Sequence, residues 1–284
     1  MVEIDFVVAG ISKCGTTTLC SMLGQHPDIF IPEEKEPWYF SSENYEQRHD
    51  YYNDLFKNAA PHQKWGEGST SYTGYASEGF ATQRLLERCP DCRFIFITRN
   101  PIKRIESSFR EMHHSAQIFG MSADFKLGSE LIRSPQIIED TLYFQRLDAY
   151  RKVFPAEALK ILFLEDYYAA PAKVIKECFE HIGVDASFAP NTSVQLNKGS
   201  DKLQDTKLLR FLRRLRIGKT PLVKFYSAEH DEQLRKLGLR VLSDKKIKWD
   251  DTAKRLYNER VLPDSQRFLE SCGKDANFWN LDID

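Results

Sequence analysis

Three groups of residues in this chain are spaced for chemistry on anions. The first is Gly10-Ile11-Ser12-Lys13-Cys14-Gly15-Thr16-Thr17-Thr18. Two glycines bracket a loop that holds a lysine, and three hydroxyls follow at once. Backbone N–H groups of such a loop converge on one point, glycine permits close approach and positive φ, and a helix starting at Thr16 adds the positive end of its dipole. The second group is Arg99-Asn100-Pro101-Ile102-Lys103-Arg104-Ile105-Glu106-Ser107. Arg99 can grip an anion in bidentate fashion, and Ser107, about two helical turns on, can donate to the same group. An ion pair with a local carboxylate would equally account for Arg99. The third is Lys35-Glu36-Pro37-Trp38-Tyr39-Phe40, a carboxylate set beside aromatics. An apolar wall raises a carboxyl pKa and makes it a usable proton acceptor near neutral pH; the plain alternative is a solvated charge run next to a core anchor.

The elements that must position these groups are legible around them. Residues 4–9 form an apolar run with the β-branched and aromatic content of a buried strand, and residues 16–25 carry Leu19, Met22 and Leu23 at helical spacing. Strand, glycine-bounded loop, helix is the context in which a loop holds phosphate. The spacing of Gly10 and Gly15 matches the phosphate-binding motif G-x-x-x-x-G-K-[ST], but Thr16 stands where that motif has lysine, and the lysine lies inside the loop. Residues 93–98, Arg-Phe-Ile-Phe-Ile-Thr, read as a central strand that ends in Arg99. In magnesium-dependent phosphate-transferring loops an acidic residue usually stands at such a strand end. An arginine there points into the ligand crevice of an open α/β sheet.

Along the rest of the chain, residues 45–56 and 78–88 read as helices, with Ser77 as the cap of the second. Residues 65–72 read as a strand end opening into a loop. Residues 110–135, which include His113 and His114, read as an irregular lid, residues 135–154 as one long amphipathic helix, and residues 159–164 as another strand. Residues 171–182 form a helix stopped by Gly183. Asn197-Lys198-Gly199-Ser200 is a small basic turn, residues 202–219 an amphipathic basic helix, and Trp279 docks the tail. Strands alternating with helices predict an α/β fold with a mostly parallel sheet. One domain over residues 1–284, largely helical from about 200, is expected, with no repeats.

Composition narrows the function classes. The chain has 284 residues, 42% hydrophobic and 29% charged, with a net charge of −1. No bulk electrostatic pull toward nucleic acid exists, so any polyanion site is a local patch. No apolar run approaches the ~18–20 residues of a membrane span, and Glu3 and Asp5 in the first residues argue against a signal peptide. The six cysteines, at 14, 20, 89, 92, 178 and 272, suit a reducing, cytoplasmic compartment. Cys89 and Cys92 have C-x-x-C spacing, but nothing pairs with them to complete a zinc site. His26 sits at a helix end before Pro27, a position that is usually structural.

Taken together, these segments resemble the sulfotransferases that use 3′-phosphoadenosine-5′-phosphosulfate (PAPS), above all the branch of heparan-sulfate-type and bacterial enzymes. Lys13, Cys14, Gly15, Thr16, Thr17 and Thr18 look like that family's 5′-phosphosulfate loop, Arg99 and Ser107 like its 3′-phosphate motif, and Glu36 like its catalytic base. Lys198-Gly199 resembles a late Lys-Gly that touches the 3′-phosphate. The resemblance spans residues 4 to about 200. It implies a P-loop-like sulfotransferase fold, PAPS as donor with the bisphosphate PAP as product, no required metal, and a small-molecule, lipid or oligosaccharide acceptor. Trp38 stands where many relatives carry a smaller polar residue or histidine. Residues 65–72 contain no counterpart of the histidine base of the small-molecule branch, which raises Glu36 and leaves His113 and His114 as fallbacks. Trp38, Tyr39, Phe40 and Tyr72 can wall a flat acceptor or a sugar face. A magnesium- and ATP-dependent kinase, and a non-catalytic nucleotide- or glycan-binding protein, are the competing expectations. The sequence carries no signal for oligomeric state.

Overall fold

Parallel strands with both faces covered by helices read as continuous apolar runs, and Phe6–Gly10 (β1) is such a run, buried along its whole length. In the computed structural model, which describes residues 2–115, 124–191, 202–217, 220–221, 228–243 and 246–283, β1 is the middle strand of a five-stranded sheet. The other strands are Ile29–Phe30 (β2), Lys64–Glu67 (β3), Arg93–Thr98 (β4) and Leu159–Phe163 (β5). Their order is β2-β3-β1-β4-β5, and every pairing is parallel. Parallel neighbours need helical crossovers. These include Thr16–Leu23 (α1), His49–Leu55 (α2), Glu78–Arg88 (α3) and Pro101–Ser115 (α4).

This order fixes where a ligand can sit. The chain leaves β1 for β2 and β3 on one side of the sheet, then crosses to β4 and β5 on the other. Loops after β1 and β4 therefore run side by side at the carboxyl ends of the strands, at the switch point where open α/β sheets take their ligands. The two loops are stitched together: Ile11 donates its N–H to Ile97 at 2.9 Å.

Tertiary partners override local pattern in four places. Residues 110–115 continue α4 and Leu127–Arg133 is helical, so most of the described part of the expected lid is regular. Ile102, Ile105, Phe109, Leu127 and Leu131 share one buried apolar cluster that holds both helices. The single helix expected over residues 135–154 is two, Gln136–Glu139 and Tyr143–Arg151. The buried Arg104 guanidinium donates to the Ile137 carbonyl (2.6 Å) and the Thr141 hydroxyl (2.8 Å), ending the first. The distant Asp264 carboxylate accepts from the N–H groups of Phe144 (3.0 Å) and Gln145 (3.2 Å), starting the second. Among the described residues of 202–219, Leu203–Asp205 is a strand paired antiparallel with Arg240–Leu242, and only Lys207–Arg214 is helical. Thr206 caps that helix, and the buried Asp205 pairs with Arg213 and Arg240. The part beyond residue 200 is thus helical with short strands among its described residues. Finally, Ser77 is the N-cap residue of α3, as expected, but its side chain makes no capping bond and its hydroxyl donates to the Ser71 carbonyl instead.

Trp279 is buried, as expected. Its ring lies against Phe268, Tyr143 and Phe163.

Candidate functional site

The loop between β1 and α1 presents donors that none of the described residues accepts from. Gly15 caps α1 with φ 97°, a left-handed conformation that costs glycine little. A Cβ there would lie 2.9 Å from Leu164 Cδ1. Helix starts leave their first N–H groups without intrahelical partners. Among the described residues, those of Gly15, Thr16, Thr17 and Thr18 have no acceptor. Cys14 serves the loop itself: its N–H donates to the Ile11 carbonyl (3.2 Å), and its thiol is buried against Tyr143 and pushed up to about 11 by burial. Arg104 holds the loop from below, donating to the Ser12 carbonyl at 3.2 Å.

Arg99 reaches that loop from the end of β4. Its Nη1 donates to the Lys13 carbonyl at 3.2 Å, while its Nε is buried and has no acceptor among the described residues. The turn is braced by Tyr143, whose hydroxyl donates to the Arg99 carbonyl (2.9 Å), and by Glu165, which accepts from the Asn100 N–H (2.8 Å). Two cationic residues on adjacent loops, a buried guanidinium N–H without a partner and four unspent amides form an anion cradle. Ser107 lies two turns into α4, half-buried, with no hydrogen bond from its hydroxyl to the described residues.

One turn beyond Ser107 is a residue that sequence reasoning missed. Glu111 accepts from Lys13 Nζ at 2.8 Å, and also from Lys202 and Ser115. Burial raises its carboxyl pKa, but the Lys13, Lys202 and Ser115 bonds outweigh this and hold it far below the usual range. Lys202 was not singled out either. Its ammonium is pushed down by burial and by the charge of Lys13, and Glu111 partly restores it. No local pattern in the sequence points to a contact between residues 13, 111 and 202.

Glu36 lies in the segment after β2, against Thr70. Its Oε2 accepts from Thr70 (3.0 Å) and from the Trp38 indole (3.2 Å), and its Oε1 from Lys35. The Trp38 N–H donates to Ser69 Oγ at 3.1 Å, and a Cβ on neighbouring Gly68 would lie 2.5 Å from Cys20 Sγ, which places this segment near α1. The expectation of a raised pKa is overturned. Burial does push the carboxyl up, but the Lys35 ammonium and the three hydrogen bonds hold it below the usual range. The aromatic wall also shrinks. Tyr39, Phe40 and Tyr72 are buried in the core, Tyr39 stacked on Tyr52 at 4.0 Å, and only Trp38 is exposed.

The histidines are engaged elsewhere. His113 Nδ1 accepts from Arg210 at 2.9 Å, and burial, with the Arg210 charge, pushes its pKa down to about 4. His114 accepts from the Leu203 N–H (3.2 Å). His26 accepts from the Asp28 N–H and bonds the Asp185 carbonyl, both at 3.0 Å, a structural role. Lys198 and Gly199 lie outside the described residues.

Comparison with known proteins bears on this arrangement. The family described as "Sulfotransferase domain" matches residues 3–220. The chain belongs to that family. Among solved structures, this sulfotransferase-family chain is similar to a sulfotransferase from Alicyclobacillus acidocaldarius: 25% identity, 74% of this chain and 92% of the other covered, TM-score 0.59. It shares its fold with mouse sulfotransferase SULT7A1, solved in complex with PAP: 15% identity, 96% and 88% covered, TM-score 0.51. The architecture is thus the α/β sulfotransferase fold. The membrane-associated sulfotransferase kil1 of Dictyostelium discoideum is 30% identical over 119 residues, 40% of this chain. The chain spans 23% of the length of that relative. Among the described residues, no helix is long and apolar enough to cross a membrane.

Proposed function

We propose that this chain transfers a sulfuryl group from PAPS to a hydroxyl or amine of a small-molecule, lipid or oligosaccharide acceptor, in the glutamate-base branch that includes heparan-sulfate-type and bacterial enzymes. One observation carries the reading. Lys13 and Arg99 meet across adjacent strand-end loops, with four amides and the Arg99 Nε unspent among the described residues, at the switch point of the sheet. The fold it shares with a mouse enzyme solved with PAP supports the donor.

PAPS supplies a sulfuryl group on a phosphate leaving group. Lys13 and the amides and hydroxyls of Thr16, Thr17 and Thr18 stabilise negative charge that develops on the leaving oxygen. Arg99 and Ser107 hold the second, 3′-phosphate anion, with Lys198 and Gly199 assigned to the same group by resemblance. Glu36, ionised at neutral pH, takes the proton of the attacking hydroxyl or amine. Trp38, the exposed aromatic beside Glu36, offers a face to a planar acceptor or a sugar. Six free cysteines, five of them buried, fit a reducing, cytoplasmic setting.

Thermal unfolding with PAP, beside ATP with magnesium, tests the donor. A ligand at 100 times its dissociation constant adds about 2.7 kcal/mol, a rise of several degrees for a chain of this size. The expected result is a rise with PAP that Arg99→Ala abolishes. A rise only with ATP and magnesium promotes a kinase; no rise with either points to a non-catalytic role.

A further inference from the structure

Glu67, the last residue of β3, is 1% exposed and enters none of the roles above. Its Oε2 accepts from the Ser69 hydroxyl at 2.5 Å, and its Oε1 from the hydroxyls of Tyr72 (2.6 Å) and Tyr52 (3.0 Å). No cation lies within ion-pair distance of it among the described residues. The titratable groups that face it are the Glu36 carboxylate, the phenols of Tyr52, Tyr72 and Tyr150, and the thiols of Cys20, Cys89 and Cys92. A buried carboxylate without a countercharge is a costly way to fill a core. Such a group must be justified by what it fixes.

What it fixes follows from proton accounting. An ionised carboxylate only accepts, so each of its three hydroxyl partners must donate to it. A hydroxyl has one hydrogen. Once that hydrogen is committed, the oxygen can only accept. Ser69 Oγ accepts from the Trp38 N–H (3.1 Å), and Tyr72 Oη from the Phe40 N–H (3.2 Å). These two amides belong to the segment that carries Glu36. That segment is unusual: Glu36 has φ 64° and Trp38 φ 52°, flanking Pro37. Non-glycine residues in that region persist only where the surroundings over-determine them. The two relayed hydrogen bonds supply that constraint.

We infer that Glu67 is a positioning residue, whose buried carboxylate fixes the donor direction of Ser69 and Tyr72 and through them clamps the left-handed turn that presents Glu36. The inference rests on the reading of Glu36 as the proton acceptor. The ionic state matters to it: a protonated Glu67 would itself become a donor and compete with one of its hydroxyl partners. Burial, with a smaller contribution from the Glu36 charge, pushes its carboxyl up to about 7, against the pull of the three hydroxyls.

Amide hydrogen exchange read residue by residue tests the clamp without any acceptor. Ser69→Ala should release the Trp38 amide alone, and Tyr72→Phe the Phe40 amide alone, each by about tenfold. Glu67→Gln, which keeps the shape but turns one accepting side into a donor, should release at least one of the two while the amides of β1 keep their protection. Unchanged exchange at both, or a rise spread evenly over the sheet, overturns the inference. PAP release from PAPS, with the sulfuryl group passing to water as the nucleophile, tests its consequence. Glu67→Gln should slow release by tenfold or more in the native chain and have no further effect in a Glu36→Gln chain; effects that multiply overturn the link to Glu36. Thermal stabilisation by PAP, run on the same proteins, separates the two levels. Its absence in the native chain counts against the sulfotransferase reading, while amide exchange still decides the clamp.

Discussion

Glu36 lies between opposing influences, and their balance sets its pH behaviour. Burial alone would push the carboxyl up; Lys35, Trp38 and Thr70 together hold it down. Removing the cation therefore raises its pKa. Lys35→Met should move the acid limb of kcat/KM to higher pH, while the plateau above it is retained; an unmoved limb would show that another group titrates in turnover. Glu111 presents the converse case at the donor end. It is a carboxylate whose pKa Lys13, Lys202 and Ser115 hold low against burial, hydrogen-bonded to Lys13, where an incoming phosphosulfate must compete with it. Glu111→Gln removes that competitor and leaves Lys13 and Lys202 unneutralised, so PAP should bind about tenfold tighter, or 1.4 kcal/mol. Titration calorimetry at fixed salt would measure this, and weaker binding would show instead that Glu111 orients Lys13 for the donor.

At the scale of elements, what was legible in the sequence was what local chemistry dictates. β1, the glycine-bounded loop and α1 follow from an apolar run, Gly15 and helical spacing, and β4 running into α4 follows from an apolar run and Pro101. The placement of Lys13 beside Arg99 followed once the sheet order put their loops side by side. Elements governed by distant partners were not legible. Residues 135–154 carry one continuous helical periodicity, yet Arg104 terminates the first segment and Asp264 begins the second from far along the chain. Glu67 was passed over for a related reason: a glutamate in a glycine- and serine-rich stretch looks solvated until Tyr52 and Tyr72 close over it. The Asp264 cap is testable. Asp264→Ala strips the partly buried N–H groups of Phe144 and Gln145 of their acceptor, and losing a cap costs about 0.5–2 kcal/mol. Chemical denaturation should show a loss of about 2 kcal/mol, accompanied by faster amide exchange at Phe144 and Gln145. A loss without that local exchange would mean the destabilisation arises elsewhere.

Across the whole molecule, the anion cradle is braced by the chain's far end. Trp279 packs its ring against Tyr143, and the Tyr143 hydroxyl holds the Arg99 carbonyl at 2.9 Å. Asn100, the next residue, donates from its side chain to the Asn280 carbonyl at 2.7 Å. The turn that aims Arg99 is therefore fixed by residues about 180 positions away in sequence, beyond the family match that ends at residue 220. Trp279→Ala should act at two levels. Truncating a buried tryptophan costs about 3–5 kcal/mol, which lowers the melting temperature by roughly 6–15 °C in a chain of this size. If Trp279 only filled the core, PAP would bind the remaining folded protein as before. Because it backs Tyr143 and the Arg99 turn, PAP affinity measured well below the melting transition should also fall, in the same direction as Arg99→Ala but by less. A variant of similar thermal cost placed away from this turn, such as Phe56→Ala, whose ring packs on Phe30 and Trp65, should leave PAP affinity unchanged. Equal losses of affinity in both variants would show that the effect is general loosening, with no path from the tail to Arg99.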